Sequence, residues 1–574
     1  QIESVFRREP RDLERLSGFP LDGKRGGGNA LVSQAPDPSN CTETPVKVLL
    51  LHVPKFNTRY RPIGDLIWLN YMAMGLPAVA EYVHRHGIDV ELVHLGVEWV
   101  ENRAFRVDEL VGGRPEVRAV GISLHWHHQA FDAIAAGRRL KALRPDLFLF
   151  LGGDTASWFA EEIVRDHPVV DGVIRGHGEV PALRLLEALR DGLPLAEVPN
   201  LTWRDRGRVR ENPLSYVAGA AELDDLSYTD FSLLRHRRTY VESVGVPFFF
   251  AKGFSRDWNA RHLTLGKPVF PLSLGRGCPF NCTWCGGGHL AQKSRVSGLR
   301  GFACRSTDAI LRSVVEARDM GYGIMHTGMD PEPRSQERYV DLWRTIRAEG
   351  VRTDWIFECN GLPTPAFAEA FRRAFPGPDS VIAISPECGN ERLRMRHKGP
   401  GFTNRALLER LTLLERLGVT VELFFTYGLP GENEELLRET LALQRTARAF
   451  RNVRAVRTLA IEMEPGAPWQ TDPERFGVVT ERRTFRDFHE AHADPDSSPF
   501  TSLGYYIPGY FERPLDRGNP LRDFERRMQA VKCRHFCFLH PDPRKGGRPW
   551  KGRAFCGLTS TLLRLKPRDL SRPY

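Results

Sequence analysis

A chain of 574 residues with 41% hydrophobic content has room for roughly three to four domains and a sizeable core. Its longest apolar runs, VKVLLLHV and LFLFLGG, are strand-length and too short to cross a bilayer, and its N-terminus, QIESVFRREPRDLERL, is charged where a secretory signal needs an apolar stretch, so a soluble cytoplasmic protein with no membrane segment is expected. The net charge of +10 and the pI of about 9.1 come from scattered arginines rather than basic blocks, which reads as a solvated surface and argues against a nucleic-acid partner.

Residues 1–45 are a polar N-terminal extension containing KRGGGNA and SQAPDPSNCTETP. At Val46 the character changes. VKVLLLHV reads as a buried parallel strand, followed by a helix with Leu76, Val79, Ala80 and Val83 on one face and Gly87 as its stop. IDVELVHL, AVGISL, LFLFLGG and DGVIRG continue the strands, with FDAIAAGRRLKALR and AEEIVRDH as helices between them. This rhythm predicts a doubly wound, Rossmann-like α/β domain over 46–200, with its ligand beyond the carboxyl ends of the strands. Those ends carry His52 to Asn57, including Pro54; Ser123 to His128, including Leu124; Gly152 to Thr155, including Gly153; and Gly176 to Glu179, including Gly178. Glycines there let a large ligand approach the backbone. No G-x-G-x-x-G follows the first strand, which disfavours a dinucleotide.

Residues 201–265 read as a connector packed between modules. From 266 to 475 a second β/α series begins at VFPLSLGRGC and continues through YGIMHTG, TDWIFEC, SVIAISPE, VTVELFFTYG and AVRTLAIEM, with helices DAILRSVVEARDM and NRALLERLTLLERLG. Six strands in this order predict a partial (β/α)6 TIM-like barrel with its site at the C-terminal strand ends. Residues 476–574 form an irregular, α-rich C-terminal region, expected to cap the substrate.

Three of the ten cysteines, Cys278, Cys282 and Cys285, crowd into GRGCPFNCTWCGGG. At C-x-x-x-C-x-x-C spacing, three thiolates from one loop can hold three irons of a four-iron cluster and leave the fourth open for catalysis. Zinc is the rival, but zinc ribbons pair two C-x-x-C knuckles. The bland alternative is three reduced, buried thiols.

This loop resembles the signature of the radical S-adenosylmethionine (SAM) superfamily, including the aromatic Trp284 before the third cysteine. The resemblance extends to four further motifs. In YGIMHTGMDPEP, Thr327, Gly328, Met329 and Asp330 stand where the family carries Gly-Gly-Glu. SPECGNERLR resembles its glutamate-serine-glycine strand end, with Glu387 and Gly389 matching. FFTYGLPGENEE, with Tyr427 and Gly428, resembles its fifth-strand segment, and IEMEPGAPW its sixth. The resemblance implies a 4Fe-4S cluster on the three cysteines, SAM on the open iron and on these motifs, and an electron donor such as flavodoxin or ferredoxin.

An α/β sheet before such a barrel resembles a cobalamin-binding domain, and Asp171 to Glu179 match its D-x-V-x-x-G-x-G-E run. The Asp-x-His-x-x-Gly motif that supplies a lower histidine ligand is absent; LHVPKFN stands there instead. The resemblance therefore implies base-off cobalamin without a protein histidine on cobalt. It also implies a methyltransferase that moves a methyl group from methylcobalamin to an unactivated carbon of a small-molecule or peptide natural product. It uses two SAM molecules, with both cofactors facing one cavity between the modules. The rivals are ring contraction or cyclisation without methyl transfer and, from another class, a non-catalytic cobalamin or nucleic-acid binding protein.

His125, His127 and His128 invite a metal reading, since alternate residues on a strand face one way. The bland reading, loop histidines against the corrin or the core, is preferred. In the tail, Cys533 and Cys537 lie one helical turn apart and Cys556 further on, a candidate second metal site weighed against reduced core thiols. Tyr505, Tyr506 and Tyr510 read as packing.

Overall fold

The first apolar run forms strand β1 (Lys47–His52). In this computed structural model, which describes residues 46–55, 64–68, 71–102, 104–243, 247–251, 267–330, 332, 336–493 and 505–506, Val48 and Leu50 face one hydrophobic core and Leu49 and Leu51 the other. A strand buried on both faces needs an unbroken apolar run rather than alternation. Four strands join it in parallel: β2 (Asp89–His94), β3 (Val117–Ser123), β4 (Phe148–Gly152) and β5 (Gly172–Ile174), in the order β2-β1-β3-β4-β5. Helices α1 (Gly75–Arg85), α2 (Ala130–Leu143), α3 (Ala160–Asp166) and α4 (Glu179–Asp191) cover the sheet. α1 and α4 send Ala80, Val83, Ala182 and Leu185 to one core, and α2 and α3 send Ala133, Ile134, Ile163 and Val164 to the other. The sheet is doubly wound, as expected. Chain order reverses between β1 and β3, where His52 pairs in register with Ser123 and, on its other side, with His94. In open α/β sheets such a switch point is where a ligand binds, beyond the carboxyl ends of the strands.

The sheet runs on past residue 200, into the stretch read as connector. β6 (Leu201–Asp205) and β7 (Arg208–Glu211) form an antiparallel hairpin on the β5 edge, turned at Arg206 and Gly207, both with positive φ. Its charged, weakly apolar sequence hid it. Within the described part of that stretch, Phe231, Leu234 and Tyr240 share one core with both sheets.

The second sheet is all parallel and in chain order: β8 (Val269–Pro271), β9 (Ile324–Thr327), β10 (Asp354–Cys359), β11 (Val381–Glu387), β12 (Thr420–Tyr427) and β13 (Val453–Ala460). Helices α5 (Thr307–Asp319), α6 (Glu337–Ala348), α7 (Pro365–Ala374), α8 (Asn404–Leu417) and α9 (Glu434–Ala447) alternate with them. Four start on side-chain caps legible in the sequence. Ser306, Thr364, Thr403 and Asn433 accept from the amides of Ala309, Phe367, Ala406 and Leu436. Trp343 of α6 anchors the outer core against Phe367 at 4.2 Å between rings. Charged pairs close the opposite, N-terminal end of the barrel: Asp354 with Lys267, and Glu422 with Arg454 at 2.8 Å.

Beyond the barrel, helix α10 (Phe485–Ala491) inserts Phe485 and Phe488 into the first module's core. Tyr505 and Tyr506 form a short strand paired with Val479–Thr480. Tyr510, Cys533, Cys537 and Cys556 lie outside the described residues, as does Asn57. Among the described residues no helix is long and apolar enough to cross a membrane.

Candidate active site

Cys278, Cys282 and Cys285 follow a short strand, Gly275–Gly277, and all three are half-buried. Three strand-end loops of the barrel hold their loop. After β11, the Gly399 amide donates to Cys282 Sγ (3.4 Å), and the Thr283 amide donates to the His397 carbonyl (3.0 Å). After β12, the Pro430 carbonyl bonds His397 Nε2 (2.8 Å), whose Nδ1 bonds Thr283 Oγ1 (2.8 Å). After β13, the Gly286 amide donates to Glu464 Oε2 (2.7 Å) and the Trp469 amide to the Thr283 carbonyl (3.1 Å). A second amide, Phe280, donates to Cys278 Sγ at 3.4 Å. Burial pushes all three thiols up, Cys285 well above its ordinary value. Glu464, partly buried beside Cys285, is also pushed up by burial.

The barrel motifs divide. Glu387 takes a positive φ of 63° at the end of β11, and its Oε1 receives Lys398 Nζ at 2.8 Å beside Cys282. Trp284 lies edge-on to Trp469 at 6.3 Å. Gly328 and Met329 reach the surface of the strand-end face. Thr327 turns the other way: its Oγ1 accepts from Trp355 Nε1 at 3.0 Å in the outer core. Asp330 is buried, bonded to Gln336 Nε2 (3.0 Å) and the Glu332 amide (3.1 Å), with its carboxyl pushed up by burial to about 6. Tyr427 is buried, and the Gly428 amide donates to Glu432 Oε2 at 2.7 Å. Gly389 is glycine for packing, because a Cβ there would overlap the Glu439–Thr440 backbone.

The first module's strand ends show the same division. His52 is fully buried between the His94 and Trp126 rings, and neither ring nitrogen has a hydrogen-bond partner among the described residues. Burial, then His94, holds it well below the ordinary imidazole range, so it is neutral. Pro54, Ser123 and Leu124 are buried around the same strand ends. Gly152 is open, with only the Ile174 carbonyl near a Cβ, at 3.8 Å. At three of these positions the chain's own packing calls for glycine. A Cβ on Gly153 would strike the His125 backbone (2.8 Å), one on Gly176 the Ser297 Cα (2.7 Å), and one on Gly178 would press Val79 (3.2 Å). Glu179 is likewise engaged by the chain itself, in a buried ion pair with Arg276, two residues before Cys278.

His125 and His127 do not act together. β3 ends at Ser123, so strand alternation stops before them. His125 Nδ1 lies 3.8 Å from Asp154, whereas His127 contacts His492 at 3.0 Å and Glu462 at 3.9 Å. The His127, Glu462 and His492 donors lie within 4.8 Å of one another, a spacing a metal ion would accept. Lys55 Nζ sits 3.3 Å from His492 Nδ1. An ammonium only donates, so His492 Nε2 carries the ring proton and gives it to His127. Arg482 Nη1 also donates to Glu462 Oε1 at 3.1 Å. The set is a hydrogen-bonded chain tying the first module, the barrel and α10 together. Sequence reasoning missed Glu462, Glu464, Lys398 and His492; the two glutamates lie within the quoted IEMEPGAPW segment as acids in an apolar setting, a signal that was available.

The two strand-end faces meet. Gln292, just after the cysteine loop, reaches Asp154 at the end of β4 (3.4 Å), and Arg276 reaches Glu179. Two family descriptions match the chain: B12 binding domain over residues 66–186 and Radical SAM superfamily over residues 272–443. It carries a radical SAM domain preceded by a B12-binding domain. The hopanoid C-3 methylase of Methylococcus capsulatus is 26% identical to it over 297 residues, covering 51% of this chain and 49% of the methylase. The chain thus spans about half the length of that curated relative. Among solved structures, the radical SAM methyltransferase TsrM of Kitasatospora setae, with tryptophan and a SAM analogue bound, aligns at TM-score 0.55 and 15% identity, covering 76% of this chain and 78% of TsrM. The cobalamin-dependent radical SAM enzyme OxsB aligns at TM-score 0.58 and 14% identity, covering 90% of this chain and 72% of OxsB. These two likenesses are of fold.

The residues present fit the groups these domains imply. In the radical SAM domain, three thiols that burial would keep protonated converge in one loop with amides aimed at two of the sulfurs, an arrangement that bound iron would keep ionised. In the B12-binding domain, the β1/β3 switch point brings together His52, whose ring nitrogens have no hydrogen-bond partner among the described residues, and the open Gly152.

Proposed function

We propose that this protein is a cobalamin-dependent methyltransferase acting on an unactivated carbon of a small-molecule or peptide substrate. One observation supports this above the rest: the strand ends of the B12-binding sheet and of the barrel face each other across the Asp154–Gln292 and Glu179–Arg276 contacts. Transfer between two cofactors through one substrate needs reacting atoms within about 3–3.5 Å, which only opposed faces allow.

When bound, the cluster, SAM and cobalamin supply one-electron cleavage and methyl transfer; the chain supplies position and exclusion of water. Cys278, Cys282 and Cys285 would hold the cluster, and the Gly399 and Phe280 amides would donate to its sulfurs. Lys398 orients Glu387 beside it. Trp284 and Trp469 wall one side with apolar surface. His52, neutral and enclosed, is read as a wall of the cobalamin crevice rather than a cobalt ligand, consistent with base-off binding.

The test is anaerobic reconstitution with SAM carrying a CD3 methyl group, assayed against candidate scaffolds by mass spectrometry. A product carrying one intact CD3 group supports methyl transfer. A product of altered connectivity without the label points instead to ring contraction or cyclisation.

A further inference from the structure

We infer that the buried ion pair Lys398–Glu387 sets the reduction potential of the cluster site, Lys398 raising it and Glu387 lowering it; this rests on the reading of Cys278, Cys282 and Cys285 as that site.

Lys398 lies deep for an ammonium. Its side chain is 5% exposed and that of Glu387 13%, and Lys398 Nζ donates to Glu387 Oε1 at 2.8 Å. Taking both charges out of water is costly, and a well-packed apolar pair would serve folding as well. Glu387 also holds a φ of 63°, a left-handed conformation uncommon outside glycine. Stability alone does not account for such a pair, so what it faces matters.

It faces the cysteine loop. The residues on either side of Lys398 fix it there: His397 Nδ1 bonds Thr283 Oγ1 at 2.8 Å, and the Gly399 amide donates to Cys282 Sγ at 3.4 Å. Gly399 packs so tightly on the loop that a Cβ there would sit 2.8 Å from Phe280 Cβ. Both charges of the pair act on the Cys282 sulfur, Lys398 more strongly than Glu387. The pair therefore presents its positive end to that ligand. Arg394, the other cation near Glu387, is committed elsewhere: its guanidinium donates to the carbonyls of Pro386 (2.7 Å), Phe402 (2.6 Å) and Cys388. The acid that follows β13, Glu464, bears on Cys285 instead. Net charge and hydrogen bonds to sulfur are two of the levers a protein has on a cluster's potential, and both converge on Cys282.

The step the pair acts on balances simply. A low-potential one-electron donor gives up one electron, the cluster site gains one negative charge, and no bond forms or breaks. An ammonium beside the site favours the more negative state and a carboxylate disfavours it, most strongly where little water screens them. Lys398 thus makes the site reducible, and Glu387 keeps the reduced site a strong enough reductant to pass its electron on.

The experiment is an anaerobic redox titration of the full, reconstituted protein without SAM, read by electron paramagnetic resonance of the reduced cluster, with iron counted in every sample. Lys398→Met is expected to lower the equilibrium constant for one-electron reduction at least tenfold, a fall of about 59 mV. Glu387→Gln is expected to shift the potential upward, Lys398→Arg to stay near wild type, and the double variant Lys398→Met with Glu387→Gln to lie between the two single ones. Opposite shifts from the two members of one pair report charge, whereas a merely structural role would move both the same way. Shifts of the same sign, or a wild-type potential in both iron-loaded single variants, overturn the proposal. If Lys398→Met loads too little iron to titrate, Glu387→Gln decides: a raised potential supports the proposal, and an unchanged or lowered one overturns it. A wild-type protein that holds no iron overturns the cluster reading, and this proposal with it.

Discussion

Glu179 and Arg276, 97 residues apart in sequence, form a buried ion pair that joins the D-x-V-x-x-G-x-G-E run of the first module to the lead-in of the cysteine loop; Glu179 Oε2 accepts from Arg276 Nη1 at 2.9 Å. Burial alone would push the Glu179 carboxyl up. The Arg276 guanidinium more than offsets this and holds it below its ordinary value. Removing one partner leaves an uncompensated buried charge. Glu179→Gln and Arg276→Met are each expected to cost about 3–5 kcal/mol, and the double variant much less than their sum. Chemical denaturation in a double-mutant cycle checks this; additive losses would show that the pair does not hold the modules together.

The cysteine loop predicts its own chemistry. Anaerobic reconstitution is expected to load about four irons per chain, and the triple variant Cys278→Ala, Cys282→Ala, Cys285→Ala to lose them. Iron counting and electron paramagnetic resonance read this directly. Iron retained in the triple variant would move the cluster elsewhere, with Cys533, Cys537 and Cys556 the first place to look.

Gly286 and Gly287 are neighbours with different duties. A Cβ on Gly286 would overlap the Pro465 carbonyl, whereas one on Gly287 meets only Cys285 Sγ at an ordinary 3.8 Å. Gly286→Ala is therefore expected to displace the loop and lower iron retention after gel filtration, and Gly287→Ala to retain most of it. Equal retention in the two variants would show that the close fit at Gly286 does not hold the loop.

Stability is expected to peak just above pH 6.5. Burial holds His128, His177 and His397 at about 4 against an ordinary 6.5. The unfolded chain then binds their protons first, so the stability they contribute is complete above 6.5 and is lost as pH falls toward 4. Glu462 has the opposite sign. Burial, partly offset by Arg482, raises it to about 8, so its contribution is complete below 4.5 and is lost as pH rises through 8. Glu462→Gln should flatten the alkaline limb of a melting-temperature profile and leave the acidic limb intact. An unchanged alkaline limb would show that Glu462 is not the group responsible.

Cobalamin bound to the first module is expected to show no protein nitrogen on cobalt. His52→Ala should leave the resonance spectrum of the bound cob(II)alamin unchanged. A nitrogen coupling that vanishes in this variant would make His52 the lower ligand and overturn base-off binding without a protein histidine.

Strand positions were legible because both sheets are buried on two faces, and such strands announce themselves as apolar runs. The cysteine loop was legible because one short segment carries the whole donor set. What a glycine or an acid at a strand end is for was not legible. Gly153 and Gly176 answer to the backbones of His125 and Ser297, and Glu179 to Arg276, none of them near in sequence. Strand alternation cannot pair His125 with His127, because β3 stops at Ser123. The β6–β7 hairpin was missed because an edge ribbon facing water needs little apolar sequence.

That hairpin closes one side of the first sheet with Arg208, Arg210 and Glu211, and the Leu92–Leu234 bridge closes the other. The outermost strand, β7, is four residues long and charged, which discourages pairing with another chain. Both closures come from sequence that follows the five parallel strands. During synthesis the half-made sheet therefore stays open to strand exchange until residue 235 has left the ribosome, and aggregation of nascent chains should be worst for truncations ending between β5 and Leu234.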